Sequence, residues 1–212
     1  MKRKPQFQSQ EVQQSTIDFS IYAPLIEHIS SLTNPYGSDS STERIIIAID
    51  GRCASGKSSL AAYIASVFDC NVFHMDDFFL QPHQRTDARL AQPGGNVDYE
   101  RFYEEILLPL KTGGEVSYRP YDCSSTSLLE PVAVPAKKLN IVEGSYSMHP
   151  HLINSYDFKV LLSITPDVQL ERLRRRSSPQ VLARFIEKWI PLEEMYFKAF
   201  DLTKTCDFVF CQ

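Results

Sequence analysis

Eight consecutive residues, Gly51-Arg52-Cys53-Ala54-Ser55-Gly56-Lys57-Ser58, complete the pattern G-x-x-x-x-G-K-[ST]. A phosphate group needs many N–H donors converging on one anion. Glycines let the backbone turn tightly enough to aim them inward, and the helix that follows adds its positive end. In such a loop Gly51, Ser55, Gly56 and Ser59 belong to the cradle, Lys57 reaches the β- and γ-phosphates, and the Ser58 hydroxyl faces Mg²⁺. Two acidic positions accompany it. Asp76-Asp77 offers a general base or a metal ligand, and Glu143-Gly144 closes an apolar run in the manner of the second, magnesium-side carboxylate of phosphoryl-transfer enzymes. A basic cluster, Arg172, Arg174, Arg175 and Arg176, could neutralise charge developing on a transferred phosphoryl group. Arg172 and Arg176 are its catalytic candidates, since one helix cannot turn all four inward.

These residues need elements to position them. Short β-branched runs occur at Ile45–Ile49, Asn71–His74, Leu139–Val142, Phe158–Ile164 and Asp207–Phe210. Between them lie apolar stripes of helical period: Leu60, Tyr63, Ile64, Val67, Phe68, then Phe102 through Leu110, then Val181 through Ile190, the last ending at Pro191 before another helix. Near-continuous Ile/Val strands separated by helices predict a five-stranded parallel sheet buried on both faces, an α/β three-layer sandwich. Ligands of such sheets bind beyond the carboxyl ends of the strands, where the phosphate loop, Asp76-Asp77 and Glu143 all fall. Asp76 and Asp77, adjacent on an extended strand end, should point to opposite sides. Residues 80–98 and 112–138 are too long for plain turns; in the second, Val116 and Tyr118 could pair with Val132–Val134 as a hairpin. Ahead of residue 44, residues 1–15 read as a loose polar tail. A helix follows around Ile21–Leu32, capped by Asp18 or Ser20, and then a turn-rich linker over 33–41. The chain thus divides into 1–43, tail and helix, and 44–212, the catalytic domain.

Composition narrows the class. A net charge of −4 argues against a dedicated nucleic-acid binder. The longest clean apolar run is far short of a membrane helix, and no apolar stretch follows the basic start, so neither a membrane partner nor a secretory leader is expected. Five cysteines without a Cys-x-x-Cys pair suggest reduced thiols in a cytoplasm. His83, His149 and His151 lack metal-ligand spacing, and Cys53 is given no role. A homo-oligomer is compatible with all of this.

Five ordered blocks resemble the uridine kinase family of P-loop small-molecule kinases, near nicotinamide riboside kinase, pantothenate kinase and phosphoribulokinase. They are Ile-Asp-Gly-Arg-Cys-Ala-Ser-Gly-Lys-Ser-Ser, His-Met-Asp-Asp-Phe-Phe, Gly-Gly-Asn-Val-Asp-Tyr-Glu-Arg-Phe, Arg-Pro-Tyr-Asp and Ile-Val-Glu-Gly-Ser-Tyr, within residues 44–210. The resemblance implies a P-loop NTPase fold, ATP and Mg²⁺, Asp76 as the base that activates the acceptor hydroxyl, and Glu143 as a magnesium-side carboxylate. It also implies acceptor contacts from Asp98 (to a sugar diol), Arg119 and Tyr121. The implied acceptor is a small molecule, in the first place the 5′-hydroxyl of a ribonucleoside such as uridine or cytidine. Nicotinamide riboside, pantothenate or another non-nucleobase acceptor is the alternative. The chain departs from uridine kinases in having no His in Cys123-Ser124-Ser125-Thr126-Ser127, and in reading Arg176-Ser177-Ser178-Pro179 at the lid. A regulatory P-loop GTPase is the rival class, but the Asn-Lys-x-Asp element that reads guanine is missing.

Overall fold

A computed structural model describes residues 18–33 and 43–212. The tail read over 1–15 and nearly all of the linker read over 33–41 lie outside the described residues. Asp18 accepts the Ser20 N–H and caps a 3₁₀ turn, Phe19–Tyr22, which runs into α1 (Ala23–Thr33). Then come β1 (Ile45–Gly51), α2 (Lys57–Val67) and β2 (Cys70–His74). The 80–98 connection holds a 3₁₀ turn and the short α3 (Asp87–Leu90). One continuous helical path follows, from α4 (Tyr99–Phe102) through a π turn (Tyr103–Leu107) to α5 (Leu108–Thr112). The expected hairpin pairs β3 (Val116–Tyr118) with β6 (Val132–Val134), register Val116 to Val134. Nested inside it is a second two-residue pair, β4 (Tyr121–Asp122) with β5 (Ser127–Leu128). The chain closes with β7 (Leu139–Glu143), β8 (Phe158–Ser163), α6 (Pro166–Arg176), α7 (Pro179–Arg184), a π turn (Phe185–Trp189), α8 (Ile190–Ala199) and β9 (Phe208–Cys211).

The sheet order is β2-β7-β1-β8-β9, all parallel. Alternation along β1 divides the core: Ile46 and Ala48 pack with Phe73, Phe102, Ile106 and Tyr196, whereas Ile47 and Ile49 pack with Leu60, Ile64, Tyr22, Leu25 and Ile29. Each such fully buried aliphatic side chain is worth about 1.5–3 kcal/mol relative to exposure. Helix α1 is therefore part of the second core.

The helix expected to stop at Pro191 does not stop there. Ile190 N–H reaches back five residues to the Phe185 carbonyl, and Leu108 N–H does the same to Tyr103, one residue before Pro109. Proline lacks an N–H and clashes with the carbonyl four residues earlier. A wider π turn just ahead of each proline relieves both conflicts, so the helical path continues.

Candidate active site

Sheet register brings the chemistry together. Glu143 at the end of β7 lies opposite His74 of β2 and Ile49 of β1, so the residues after these strands share one crevice. Gly51 opens the phosphate loop with φ +152°, and a Cβ there would sit 2.3 Å from the Leu162 carbonyl oxygen, so only glycine fits. Gly56 then enters α2, at whose head Ser58 is exposed and Lys57 buried. Lys57 Nζ donates to the carbonyls of Gly51 (2.8 Å) and Arg52 (2.9 Å) and to Ser145 Oγ (3.3 Å). Ser55 is buried within the loop and Ser59 follows on α2.

The loop is gripped on both flanks by distant residues. On one side both carboxylate oxygens of buried Glu193 accept the Cys53 N–H at 3.0 Å, and Ser145 Oγ donates to Glu193 at 2.8 Å. Arg52 forms a two-pronged pair with Glu194, at 2.5 and 3.0 Å. On the other side Arg172 donates to the Ala54 carbonyl (3.1 Å) and to Gln212 Oε1 (2.9 Å). Beneath the loop, fully buried Asp50 accepts four donors: Gly51 N–H (2.6 Å), Met148 N–H (2.9 Å), Tyr146 N–H (3.2 Å) and Tyr196 O–H (2.8 Å). Burial pushes its carboxyl up to about 6, against the pull of these bonds and of Lys57. Burial, with Glu193 adding to it, lifts the Cys53 thiol to about 12, so it stays protonated.

Asp76 and Asp77 lie on a 3₁₀ turn, Met75–Phe78, not on the extended strand end expected from the sequence. Their partners differ. Asp77 Oδ2 accepts the Tyr118 hydroxyl (3.2 Å) and its carbonyl accepts Arg101. Asp76 is exposed to solvent, and among the described residues its carboxylate has no hydrogen-bond or ion-pair partner. Its carboxyl is raised above the ordinary value by burial, with Glu143 and Asp77 adding to the rise and Lys57 and His74 opposing it. Glu143 is buried and 2.6 Å from His74 Nδ1, a contact that raises the imidazole above its usual value. The turn approaches Gly144 so closely that a Cβ there would lie 2.5 Å from Met75 Cβ.

Ser58, Glu143 and Asp76 offer one hydroxyl and two carboxylates at this crevice. That oxygen set suits Mg²⁺, which is typically held by one or two carboxylates plus substrate phosphates. Among the described residues no group of three or more His, Cys, Asp or Glu is placed to hold a metal ion.

A cavity of about 360 Å³ opens beside this crevice, lined by Leu80, Gln84, Arg89, Asp98 and Glu100. Asp98, nearly fully buried, caps α4 through the Arg101 N–H (3.2 Å) and accepts Gln84 Nε2 (2.9 Å). Arg89 is paired with Glu100 at 2.6 Å and lies over the Tyr99 ring, whose other neighbour is the stacked His149 ring. Tyr121 is buried, its hydroxyl accepting Arg85 at 2.8 Å. Arg119 is turned elsewhere: its guanidinium donates to the carbonyls of Leu129 (2.7 Å) and Leu128 (3.2 Å), bracing the hairpin. Of the arginine cluster, Arg172, Arg175 and Arg176 all line a cavity that borders Ala54, Gly56 and Ser59 of the phosphate loop, and exposed Arg175 also pairs with Glu171.

Sequence reasoning missed Asp50, Ser145, Glu193 and Glu194. Asp50 and Ser145 flank motifs already singled out and could have been found there, as the acid just before Gly51 and the hydroxyl after Glu143-Gly144. Glu193 and Glu194 looked like an ordinary acidic helix start, and no local signal marks them.

A glycine-rich phosphate loop at the carboxyl end of a five-stranded parallel sheet, with acids on the neighbouring strand ends, defines a P-loop small-molecule kinase. Residues 46–178 match the Phosphoribulokinase / Uridine kinase family, and the chain belongs to that family. Membership implies ATP as the nucleotide. A solved structure described as a possible uridine kinase from Bacillus stearothermophilus superposes with a TM-score of 0.66 at 20% identity, covering 90% of this chain and 97% of that one. D-glycerate 3-kinase from Cryptococcus neoformans gives 0.54 at 15% identity, covering 82% and 85%. At these identities the likeness speaks for the fold. A tRNA dimethylallyltransferase from Onion yellows phytoplasma (strain OY-M) is 30% identical over 145 residues, 54% of this chain and 49% of that protein; the match thus spans about half the relative's length. Among the described residues no helix is long and apolar enough to cross a membrane.

Proposed function

We propose that the protein transfers the γ-phosphoryl group of ATP to a hydroxyl of a small metabolite, a ribonucleoside 5′-hydroxyl being the acceptor the site supports best. Asp76 carries this reading: a solvent-facing carboxylate with no partner among the described residues, within the field of Lys57 on one side and near Cys123 of the hairpin on the other. The backbone N–H groups of residues 51–59 and Lys57 hold the triphosphate, and Arg172 and Arg176 offset charge on its flank. Asp76 accepts the proton of the acceptor hydroxyl as its oxygen bonds to the γ-phosphorus and the bond to ADP breaks. Mg²⁺, held by Ser58 and Glu143, would supply charge neutralisation on the phosphates. Catalysis is positioning plus electrostatics. Asp98, its carboxylate fixed by Gln84 and Arg101, accepts hydrogen bonds from vicinal hydroxyls of the acceptor in this reading, and Tyr121 is a further acceptor contact. The catalytic unit is residues 44–212, with α1 packed onto it.

The test is ADP release, with ATP and separately GTP, against a panel of uridine, cytidine, nicotinamide riboside, pantothenate and sugar phosphates. A kinase of this kind releases ADP only in step with a phosphorylated acceptor. Nucleotide hydrolysis without any acceptor, or dimethylallyl transfer to tRNA in a parallel assay, overturns the reading.

A further inference from the structure

His74 closes β2 and Glu143 closes β7, and the parallel register sets the two directly side by side. Side chains of such neighbours leave the sheet on the same face. His74 Nδ1 lies 2.6 Å from Glu143 Oε1 and, because an ionised carboxylate only accepts, the imidazole is the donor. We propose that His74 is a positioning residue for the metal-side carboxylate: it ties Glu143 Oε1 and thereby presents Oε2 to the Mg²⁺ of the nucleotide. The inference rests on the assignment of Glu143 to Mg²⁺ above.

Three observations carry it. The first is the oxygen left over. Glu143 is buried, and among the described residues its Oε2 has no hydrogen-bond partner. A buried carboxylate oxygen left so is costly until a donor or a cation reaches it. The second is freedom. The last torsion of a glutamate is broad, so an untethered carboxylate swings. One bond to Oε1 fixes its plane, and ligating carboxylates are commonly held by such bonds. Both the neutral Nδ1–H tautomer and the imidazolium donate there, so the role does not depend on the charge of the ring. The third is how the donor is held. The turn after β2 presses Met75 against Gly144, where a Cβ would lie 2.5 Å from Met75 Cβ. The ends of β2 and β7 are therefore locked together immediately beyond the pair. Exposure is one-sided: the Glu143 side chain is 6% exposed and that of His74 49%. His74 thus reaches in from the rim of the crevice, and its contact with Glu143 can be removed without unpacking the sheet.

The experiment measures ATP affinity by calorimetry, with Mg²⁺ and with EDTA in its place, for the full chain, His74→Phe and His74→Asn. Phenylalanine keeps a planar ring and removes the donor, whereas the asparagine amide returns an N–H close to the position of Nδ1. The ratio of the two affinities reports the hold of the site on the metal, and no turnover enters it. His74→Phe should lose about 10–100-fold of that ratio with metal-free ATP affinity unchanged. His74→Asn should stay within about threefold of the parent. Should His74→Phe fail to fold, His74→Ala carries the same comparison with the same selective loss expected. An unchanged ratio in the donor-less variant, equal weakening with and without metal, or no recovery in His74→Asn overturns the proposal. A parent chain whose ATP affinity Mg²⁺ leaves unchanged, or a Glu143→Gln variant that keeps the full ratio, overturns the assignment of Glu143 to the metal, and this proposal with it.

Discussion

Asp76→Asn and Asp77→Asn remove the same charge from neighbouring residues, and the structure predicts very different consequences. Among the described residues the Asp76 carboxylate has no hydrogen-bond partner, and it lies within the field of Lys57. Asparagine keeps its shape and loses its capacity to accept a proton, and loss of a general base typically costs ~10²–10⁴ in rate. Asp77 is engaged with Tyr118 through a single 3.2 Å bond. Weakening one bond to a charged group into a bond to a neutral one costs about 1 kcal/mol, or roughly fivefold. The measurement is kcat by coupled ADP release with the best acceptor of the panel, with ATP affinity by calorimetry as the control for folding. Asp76→Asn should lose at least roughly a hundredfold in kcat while still binding ATP, and Asp77→Asn should stay within about tenfold. The pH profile adds a sign. The base works ionised, and burial raises the Asp76 carboxyl above the ordinary value, so kcat/KM should rise with pH through a midpoint above that of a free aspartate. Greater damage from Asp77→Asn, or an acidic limb at the ordinary carboxylate value, refutes the assignment.

Lys57→Ala should lower kcat/KM by ~10²–10³, the usual loss for one preorganised charge stabiliser, and near-normal turnover in the folded variant would show that the loop does not hold the donor. Asp98→Ala should raise the acceptor KM far more than the ATP KM; equal reactivity of a deoxy acceptor and its ribo counterpart with the parent chain would exclude a diol contact. Asp50→Asn tests the buried anchor by urea unfolding across pH. The folded-state carboxyl lies near 6, above the unfolded value, so its ionisation opposes folding. The parent should be most stable below pH 4 with respect to this group and should lose that contribution as pH rises through about 6, a slope absent in the variant. At neutral pH the variant should still be weaker by about 2 kcal/mol, because its amide NH₂ faces donors.

The strands were legible because each is an unbroken apolar run, and the loop because its glycines and lysine sit at fixed offsets. The β3–β6 hairpin was legible from the alternation of Val116 and Tyr118. What stayed hidden depends on distance along the chain or on competition between local rules. Cys53 and Glu193 are 140 residues apart, and nothing near Glu193 shows that its carboxylate turns inward to a backbone N–H. Pro191 reads as a terminator, yet tertiary packing of Tyr196 in the core favours continuation, and the π turn reconciles the two. Arg119 lies in a motif whose family role is acceptor contact, but free carbonyls at Leu128 and Leu129 claim its guanidinium.

The two-sided grip on the phosphate loop has a consequence for how the protein is made. Glu193 and Glu194 on one flank, and Gln212 on the other, are synthesised after β1, β2, β7 and β8. A nascent polypeptide can pair β1 with β7 and β8, and so assemble most of the sheet, well before these side chains exist. During that interval the loop carries its glycines and its lysine but lacks the carboxylate that fixes Cys53 N–H, and Arg172, which reaches Ala54 O, lacks its partner Gln212. A chain halted before α8 thus keeps the motif and most of the fold, yet leaves Cys53 N–H and Arg52 without the carboxylates that hold them.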